Sequence, residues 1–307
     1  MKLEAFQTLA AVVGKGSFAA AAQAMHMTPS AVSMQMKQLE QYLGKPLFDR
    51  SGQQVRMRPA ALALVETMAP ALNALSAMRR RTATEIEGHL QVGVIEGLQP
   101  LLLPPAIRYL RDHYPRLEVS PQRGTSLALT EEVKAGRLDA AIAAKPPRGT
   151  QAGLRWIPLA QQGLVFILPP AGSGAAPHAP RRLGEAELKR RIRTTDWIRY
   201  DRATTTGSLA TRFVHKLVPG KRSLMELGSA AAIAAMVNAG LGFSVLQLID
   251  AGLVRQYPLE VFQLPRNGPV FELCVVMRAS DADDRLLQAW LEAVRHAMPG
   301  DGAAPSA

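Results

Sequence analysis

The 307-residue chain is 48% hydrophobic and 20% charged, which excludes wholesale disorder and leaves room for two or three domains with cores of their own. Its net charge of +11 suits a polyanionic partner, and the first 60 residues are the denser part, with seven Lys/Arg against three Asp/Glu. The single cysteine, Cys274 in "FELCVVM", allows no internal disulfide and reads as a small hydrophobe on a buried strand. No apolar run approaches the ~20 residues of a membrane span, and Leu9 to Val13 is too short and too early for a signal peptide, so a cytoplasmic protein without membrane contact is expected.

Helical periodicity dominates the first 90 residues. Leu3, Phe6, Leu9, Ala10 and Val13 form one apolar stripe, ended by Gly14 and Gly16. Ser17 caps a short helix, "FAAAAQAM", whose alanines permit close helix approach. Thr28 followed by Pro29 marks the next helix start. In that helix Val32, Met36, Leu39 and Leu43 make a buried face, while Ser30, Ser33, Met34 and Lys37 make a small, polar and basic front. Two short helices about a tight turn, the second with such a front, have the geometry of a helix-turn-helix. Acids on that front would repel phosphate.

The stretch "KPLFDRSGQQVRMRP" after Gly44 suggests a hairpin or wing, whose Arg50, Arg56 and Arg58 would reach backbone phosphates. Pro59 to Gly88 reads as one long helix. Its seam of Ala61, Val65, Met68, Leu72 and Leu75 has coiled-coil spacing, and its length is roughly 45 Å. Pro70 should kink it, and Arg79, Arg80 and Arg81 read as a solvated face.

From His89 the pattern becomes strands alternating with helices, which predicts parallel α/β sheets with crossover helices. The strands are "LQVGVI", "LEVSPQ", the end of "LALTEEVKAGRLDAAIA", "GLVFIL", "DWIRY", "KRSLMEL", "FSVLQ" and "VFELCVVM". The segments "GSGAAPHAP" and "GDGAAPSA" read as a loop and a frayed tail.

Nearly the whole chain resembles the LysR-type transcriptional regulators. The most specific part is residues 17–50, with Ser17-Phe18, Ala21-Ala22, Ser30, Ser33, Leu39-Glu40, Gly44 and Leu47-Phe48-Asp49-Arg50 in place. "GTSLALTEEVKAGRLDAAI" and "MELGSAAAIAAMVNAGLGFSVL" are similar to parts of the family's effector domain. Three positions depart from the pattern: Met34 stands where Arg is common, Met57 to Ala61 lacks the usual Thr and Gly, and Gln247 stands where Pro often follows.

The resemblance implies a winged helix-turn-helix over 1–58, a linker (dimerisation) helix over 59–88 and a two-lobed α/β effector-binding domain of periplasmic-binding-protein type over 89–307. Lobe I would cover about 89–162 and 267–299, lobe II about 163–266, with crossings near Gln161–Gly163 and Pro265–Gly268. The implied function is sequence-specific binding of double-stranded promoter DNA, altered by a small-molecule effector between the lobes, in a homodimer or homotetramer with RNA polymerase as a further partner. Residues expected at DNA are Ser17, Thr28, Pro29, Ser30, Ser33, Met34, Lys37, Arg50, Arg56 and Arg58.

Residues expected at the effector are Glu96, Thr125, Ser126, Arg199, Arg202, Thr204, Thr205, Gly228 and Ser229, with Thr206 beside them. Helix starts bearing hydroxyls offer amides and positive dipole to an anion, and arginines can clamp a carboxylate. Taken one at a time, each Ser or Thr here reads first as a simple N-cap, and convergence on one cleft comes from the family fold. No catalytic constellation, metal-ligand spacing or cofactor motif stands out among the six histidines and the one cysteine. The alternatives are an enzyme, which would need such a constellation, or a bi-lobed small-molecule binding protein without a DNA role, which would not need the first 60 residues.

Overall fold

The structure is a computed structural model that describes residues 3–50, 56–82, 86–146, 152–170, 181–247, 253, 256–265 and 268–298. The side chains of Arg79, Arg80 and Arg81 lie outside the described residues, as do the segments 172–180 and 300–307. The chain divides into two compact units, with the break between Thr82 and Ala83.

The first unit begins with α1 (Glu4–Lys15), α2 (Phe18–Ala24) and α3 (Pro29–Leu43). Helix α1 buries Ala5, Thr8, Leu9 and Val12, so its inward face is rotated from the predicted stripe and Leu3 is exposed. Apolar residues run almost without a break from Leu9 to Val13, which leaves the face ambiguous in sequence. Thr8 tolerates burial because its hydroxyl donates to the Glu4 carbonyl at 2.9 Å. The helix passes through Gly14 and stops at Gly16, whose φ of 77° is left-handed.

Ser17 and Thr28 cap α2 and α3 by accepting from the Ala20 and Ala31 amides. The turn between them closes with Met27 N–H on the Ala22 carbonyl and His26 N–H on that of Gln23. His26 takes the left-handed position (φ 52°) that glycine usually occupies. Fully buried Ala21 and Ala22 let α2 approach closely, and Val32, Met36 and Leu39 of α3 complete the core with Leu47 and Phe48. The rings of Phe18 and Phe48 meet edge to face at 5.0 Å.

The wing is a pair of short antiparallel strands, β1 (Phe48–Asp49) and β2 (Arg56–Met57). It is fastened to α3 by Glu40, whose carboxylate accepts from the Leu47 amide at 2.7 Å, the Phe48 amide at 2.9 Å and the Arg50 guanidinium at 2.5 Å. Burial pushes that carboxyl up, but Arg50 and the two amides together hold it below the ordinary carboxylate range. Helix α4 (Pro59–Thr82) continues through Pro70. Ala61, Leu64 and Val65 pack into the core of the first unit, so the start of the predicted coiled-coil seam is consumed within the chain, while Leu75 is exposed.

In the second unit, one five-stranded sheet has the order β4-β3-β5-β13-β6. It comprises β3 (Gly88–Ile95), β4 (Leu117–Gly124), β5 (Ala140–Ala144), β6 (Leu154–Gly163) and β13 (Val270–Arg278). Strands β3, β4 and β5 are parallel, but β13 is antiparallel to both β5 and β6. The expectation of parallel sheets is corrected there: the chain leaves on β6 and returns on β13 instead of through a crossover helix. Helices α5 (Gln99–His113) and α10 (Arg285–Ala297) cover one face around Trp290, and α6 (Ser126–Lys134) covers the other.

The second sheet has the order β11-β7-β12-β8, from β7 (Val165–Leu168), β8 (Arg181–Arg182), β11 (Ser244–Leu246) and β12 (Glu260–Gln263), and is largely antiparallel. A bridge from Trp197 to Phe243 joins it to the parallel pair β9 (Ile198–Tyr200) and β10 (Met225–Leu227). Helices α7 (Glu185–Thr194) and α8 (Thr205–Leu217) pack on one face, and α9 (Ala230–Asn238) on the other. The two sheets are linked between β6 and β7 and between β12 and β13, where the Leu164 amide donates to the Pro269 carbonyl at 3.2 Å.

Two close approaches set where helices begin. A Cβ at Gly93 or Gly124 would lie 2.8 or 2.9 Å from Leu129, so α6 sits low on its sheet, with Arg278 donating to the carbonyls of Val133 and Leu138 near its far end. A Cβ at Gly207 would lie 2.0 Å from the Asp201 carbonyl oxygen, so the first turn of α8 rests directly on the end of β9.

Gly207→Ala should therefore destabilise the second unit by about 2–4 kcal/mol, since backbone and not a flexible side chain must give way. Denaturation followed by tryptophan fluorescence reports this, because Trp156, Trp197 and Trp290 are all in that unit. In the first unit, Glu40→Gln should speed exchange of the Leu47 and Phe48 amide hydrogens by about tenfold. The folded pKa of Glu40 is depressed, so its contribution is present above the ordinary carboxylate pKa and lost as pH falls through the folded value. Wild type and Glu40→Gln should then converge at acid pH.

Candidate functional site

On α3 the side opposite the core carries Ser30, Met34 and Lys37, all exposed, with half-buried Ser33 at its edge. Thr28 and exposed Pro29 form the helix start, and the Thr28 and Ser30 hydroxyls lie 3.0 Å apart. Glu40, the only acid of this helix, is turned to the wing amides and Arg50, so no carboxylate stands on the outward side. Ser17 is exposed at the start of α2. Arg56 and Arg58 are exposed on and beside β2. Arg50 is otherwise engaged: it pairs with Glu40 and lies 5.6 Å from the Phe48 ring, a tether between wing and helix and not a free cation.

Within the second unit a cavity of about 340 Å³ opens between the two sheets. Glu96, Thr125, Ser126, Thr204, Thr205 and Gly228 line it. Three helix starts meet there: α6 capped by Thr125, α8 capped by Thr204 and α9 capped by Ser229. Each cap takes one amide, those of Ala128, Gly207 and Ala232, and the remaining first-turn amides have no partner within their helices.

The hydroxyls differ in what they have left to offer. Ser126 Oγ accepts from the Ala144 amide at 3.0 Å and Thr125 Oγ1 from that of Ala128 at 3.2 Å, so both keep a proton to donate. Thr204 has spent its proton on the Asp201 carbonyl at 2.6 Å.

Arg199, Arg202 and Ser229 do not line this cavity. Successive residues of a strand face opposite ways, so β9 turns Tyr200 into the cavity and Arg199 away from it, where Arg199 Nε donates to Glu226 at 2.9 Å and its guanidinium lies over Trp197. Arg202 meets the same carboxylate, through its amide at 3.1 Å and its Nε at 3.4 Å. The Arg202 amide and the Arg199 guanidinium hold Glu226 below the ordinary carboxylate range against its partial burial. Arg202 instead lines a neighbouring cavity of about 530 Å³, which also meets Thr204 and Thr205.

Sequence reasoning missed Arg123, Tyr200, Asp201 and Gln247, which all line the first cavity. Gln247 was visible as a departure from the family pattern, and it accepts from the Thr206 hydroxyl at 3.3 Å. Burial, then the nearby Glu96 and Asp201 carboxylates, push the Tyr200 hydroxyl pKa up. That hydroxyl stays protonated, and it shares the cavity lining with both acids.

Cys274 is fully buried and its thiol is pushed up to about 11, chiefly by burial, which suits packing and not thiolate chemistry. Among the described residues no group of His, Cys, Asp and Glu is placed to hold a metal ion, and no helix is long and apolar enough to cross a membrane.

Residues 3–62 match the bacterial regulatory helix-turn-helix model of the LysR family, and residues 83–299 match the LysR substrate-binding domain. A probable RuBisCO transcriptional regulator from Cyanidioschyzon merolae is 28% identical over 86% of this chain and 89% of its own length. Full-length OxyR from Pseudomonas aeruginosa superposes with a TM-score of 0.68 at 22% identity, covering 96% of this chain and 98% of that one. Full-length CbnR in complex with its target DNA gives 0.63 at 21% identity, covering 97% and 100%. With a family model spanning most of the second unit and another spanning the helix-turn-helix, the chain belongs to the LysR family of DNA-binding transcriptional regulators, and is a regulator with an effector-binding domain rather than an enzyme.

Proposed function

We propose that the outward face of α3 enters the major groove, with Ser30, Ser33, Met34 and Lys37 toward the base edges and Thr28 and Pro29 at the helix start beside the backbone. The observation that carries this reading is the removal of Glu40 from that face to the wing, which leaves it free of negative charge. Arg56 and Arg58 are exposed beside it and supply phosphate contacts, and Ser17 offers a further one. Arg50 acts through Glu40 by holding the wing in place.

Two copies pair through the outer part of α4, where Leu75 is exposed beyond the segment packed in the first unit, and so present two such faces to a bipartite promoter site in the cytoplasm. Assembly to a tetramer and contact with RNA polymerase are carried by the family resemblance alone.

The cavity of the second unit takes a small-molecule effector. An anionic group fits the three helix starts, and Thr125 and Ser126 have protons to give it. Glu96 and Asp201 line the same cavity and accept hydrogen bonds, so the ligand carries donors as well. With Arg199 and Arg202 drawn to Glu226, Arg123 is the arginine that lines this cavity, beside the amides and hydroxyls that meet the anion. The effector acts by binding one arrangement of the regulator better than another.

In purified protein, Ser33→Glu should abolish sequence-specific binding to a selected operator while the fold is kept. Unchanged affinity would refute the face assignment. Arg56→Ala should lower the slope of log affinity against log salt by about one, because it removes one phosphate contact. Thr205→Trp, which fills the cavity, should remove the effector response and leave basal DNA affinity within about twofold.

A further inference from the structure

Met34 is an apolar side chain in the middle of a polar face. At 3.6 residues per turn it lies about 200° around α3 from buried Val32, between the directions of Ser30 and Gln38. It is 62% exposed, whereas Met36, two positions on, is fully buried. No core function therefore accounts for Met34. Its flanks on the N-terminal half of the face are short: Ser30, whose hydroxyl is engaged with Thr28, and Ser33. It is thus the longest side chain on the part of a recognition helix that comes nearest the base edges.

We propose that Met34 is a specificity-determining residue that reads the 5-methyl group of a thymine. This rests on the assignment of α3 to the major groove. A thioether has no proton to donate and accepts only weakly, so placed against guanine it would leave the N7 and O6 acceptors desolvated and unpaired, and against cytosine it would strand the amino donor. Thymine alone presents an apolar group on that edge of the groove. Methionine is unbranched and polarisable, so it can close on a methyl group without demanding one fixed geometry. The chain thereby trades a hydrogen-bonded base contact for an apolar one.

The purified full-length protein first selects its site from a random duplex library. Each thymine of that site is then replaced singly by deoxyuridine, which removes the methyl group and leaves base pairing in place. In wild type, one replacement per half-site should weaken binding by about fourfold, the loss of one buried methyl contact. In Met34→Ala the same replacement should change affinity by less than about 1.5-fold, because the methyl has lost its partner.

Met34→Leu should keep most of the wild-type loss. Alanine at an exposed helical position favours the helix, so Met34→Ala folds, and a melting curve checks it. If the deoxyuridine profile of Met34→Ala matches that of wild type at every thymine, the proposal is overturned while the groove assignment stands. If folded wild type selects no sequence, the groove assignment itself falls and takes the proposal with it.

Discussion

The cavity of the second unit depends on how closely α8 can lie against the end of β9. With no side chain at Gly207, the first turn of the helix rests on the Asp201 carbonyl, and Thr204 closes the corner by bonding to both Asp201 and the Gly207 amide. That contact fixes Thr204, Thr205 and Thr206 at the cavity edge together with Tyr200 and Asp201. The same device operates across the cavity, where Gly93 and Gly124 let Leu129 sink toward the sheet and hold Thr125 and Ser126 at the opposite wall. A site assembled from backbone ends in this way is preorganised: its donors are fixed before a ligand arrives, and little ordering remains to be done on binding.

Charge in the cavity is governed by where the arginines go. Glu226 stands on β10 directly across from Arg199 on β9, and it collects Arg202 as well. Arg199 is thereby satisfied without a ligand, while Glu96 and Asp201 keep acceptors beside the Tyr200 hydroxyl. The result is a mixed environment, with positive helix ends and Arg123 on some sides and carboxylates on another, which favours a ligand bearing both acceptors and donors over a bare anion.

In the first unit the corresponding question is where the one carboxylate of α3 goes. Glu40 belongs to α3 but serves the wing, where two amides and Arg50 compensate it. One carboxylate thus fixes the wing and leaves the outward face of α3 without negative charge. The cost is that Arg50, which looks in sequence like another phosphate contact, is paired with Glu40 at the surface.

Much was legible from spacing alone. The buried face of α3, the caps at Ser17 and Thr28 and the helix-turn-helix follow from residues a few positions apart, because capping and helical periodicity are local effects. Six of the nine residues expected at the effector do line one cavity, of which Thr125 and Thr204 were visible in the chain as helix caps and Glu96 only through the family resemblance. The inward face of α1, the antiparallel return of β13 and the use of Ala61, Leu64 and Val65 within the first unit were not legible, since each depends on what lies opposite.

The fate of Arg199, Arg202 and Arg50 belongs to the same class. Sequence by itself determined the elements, their caps and the absence of acid from the front of α3. Tertiary structure decided which hydroxyls share a cavity and which arginines are free, because ion pairing and strand-to-strand facing join residues that are far apart along the chain.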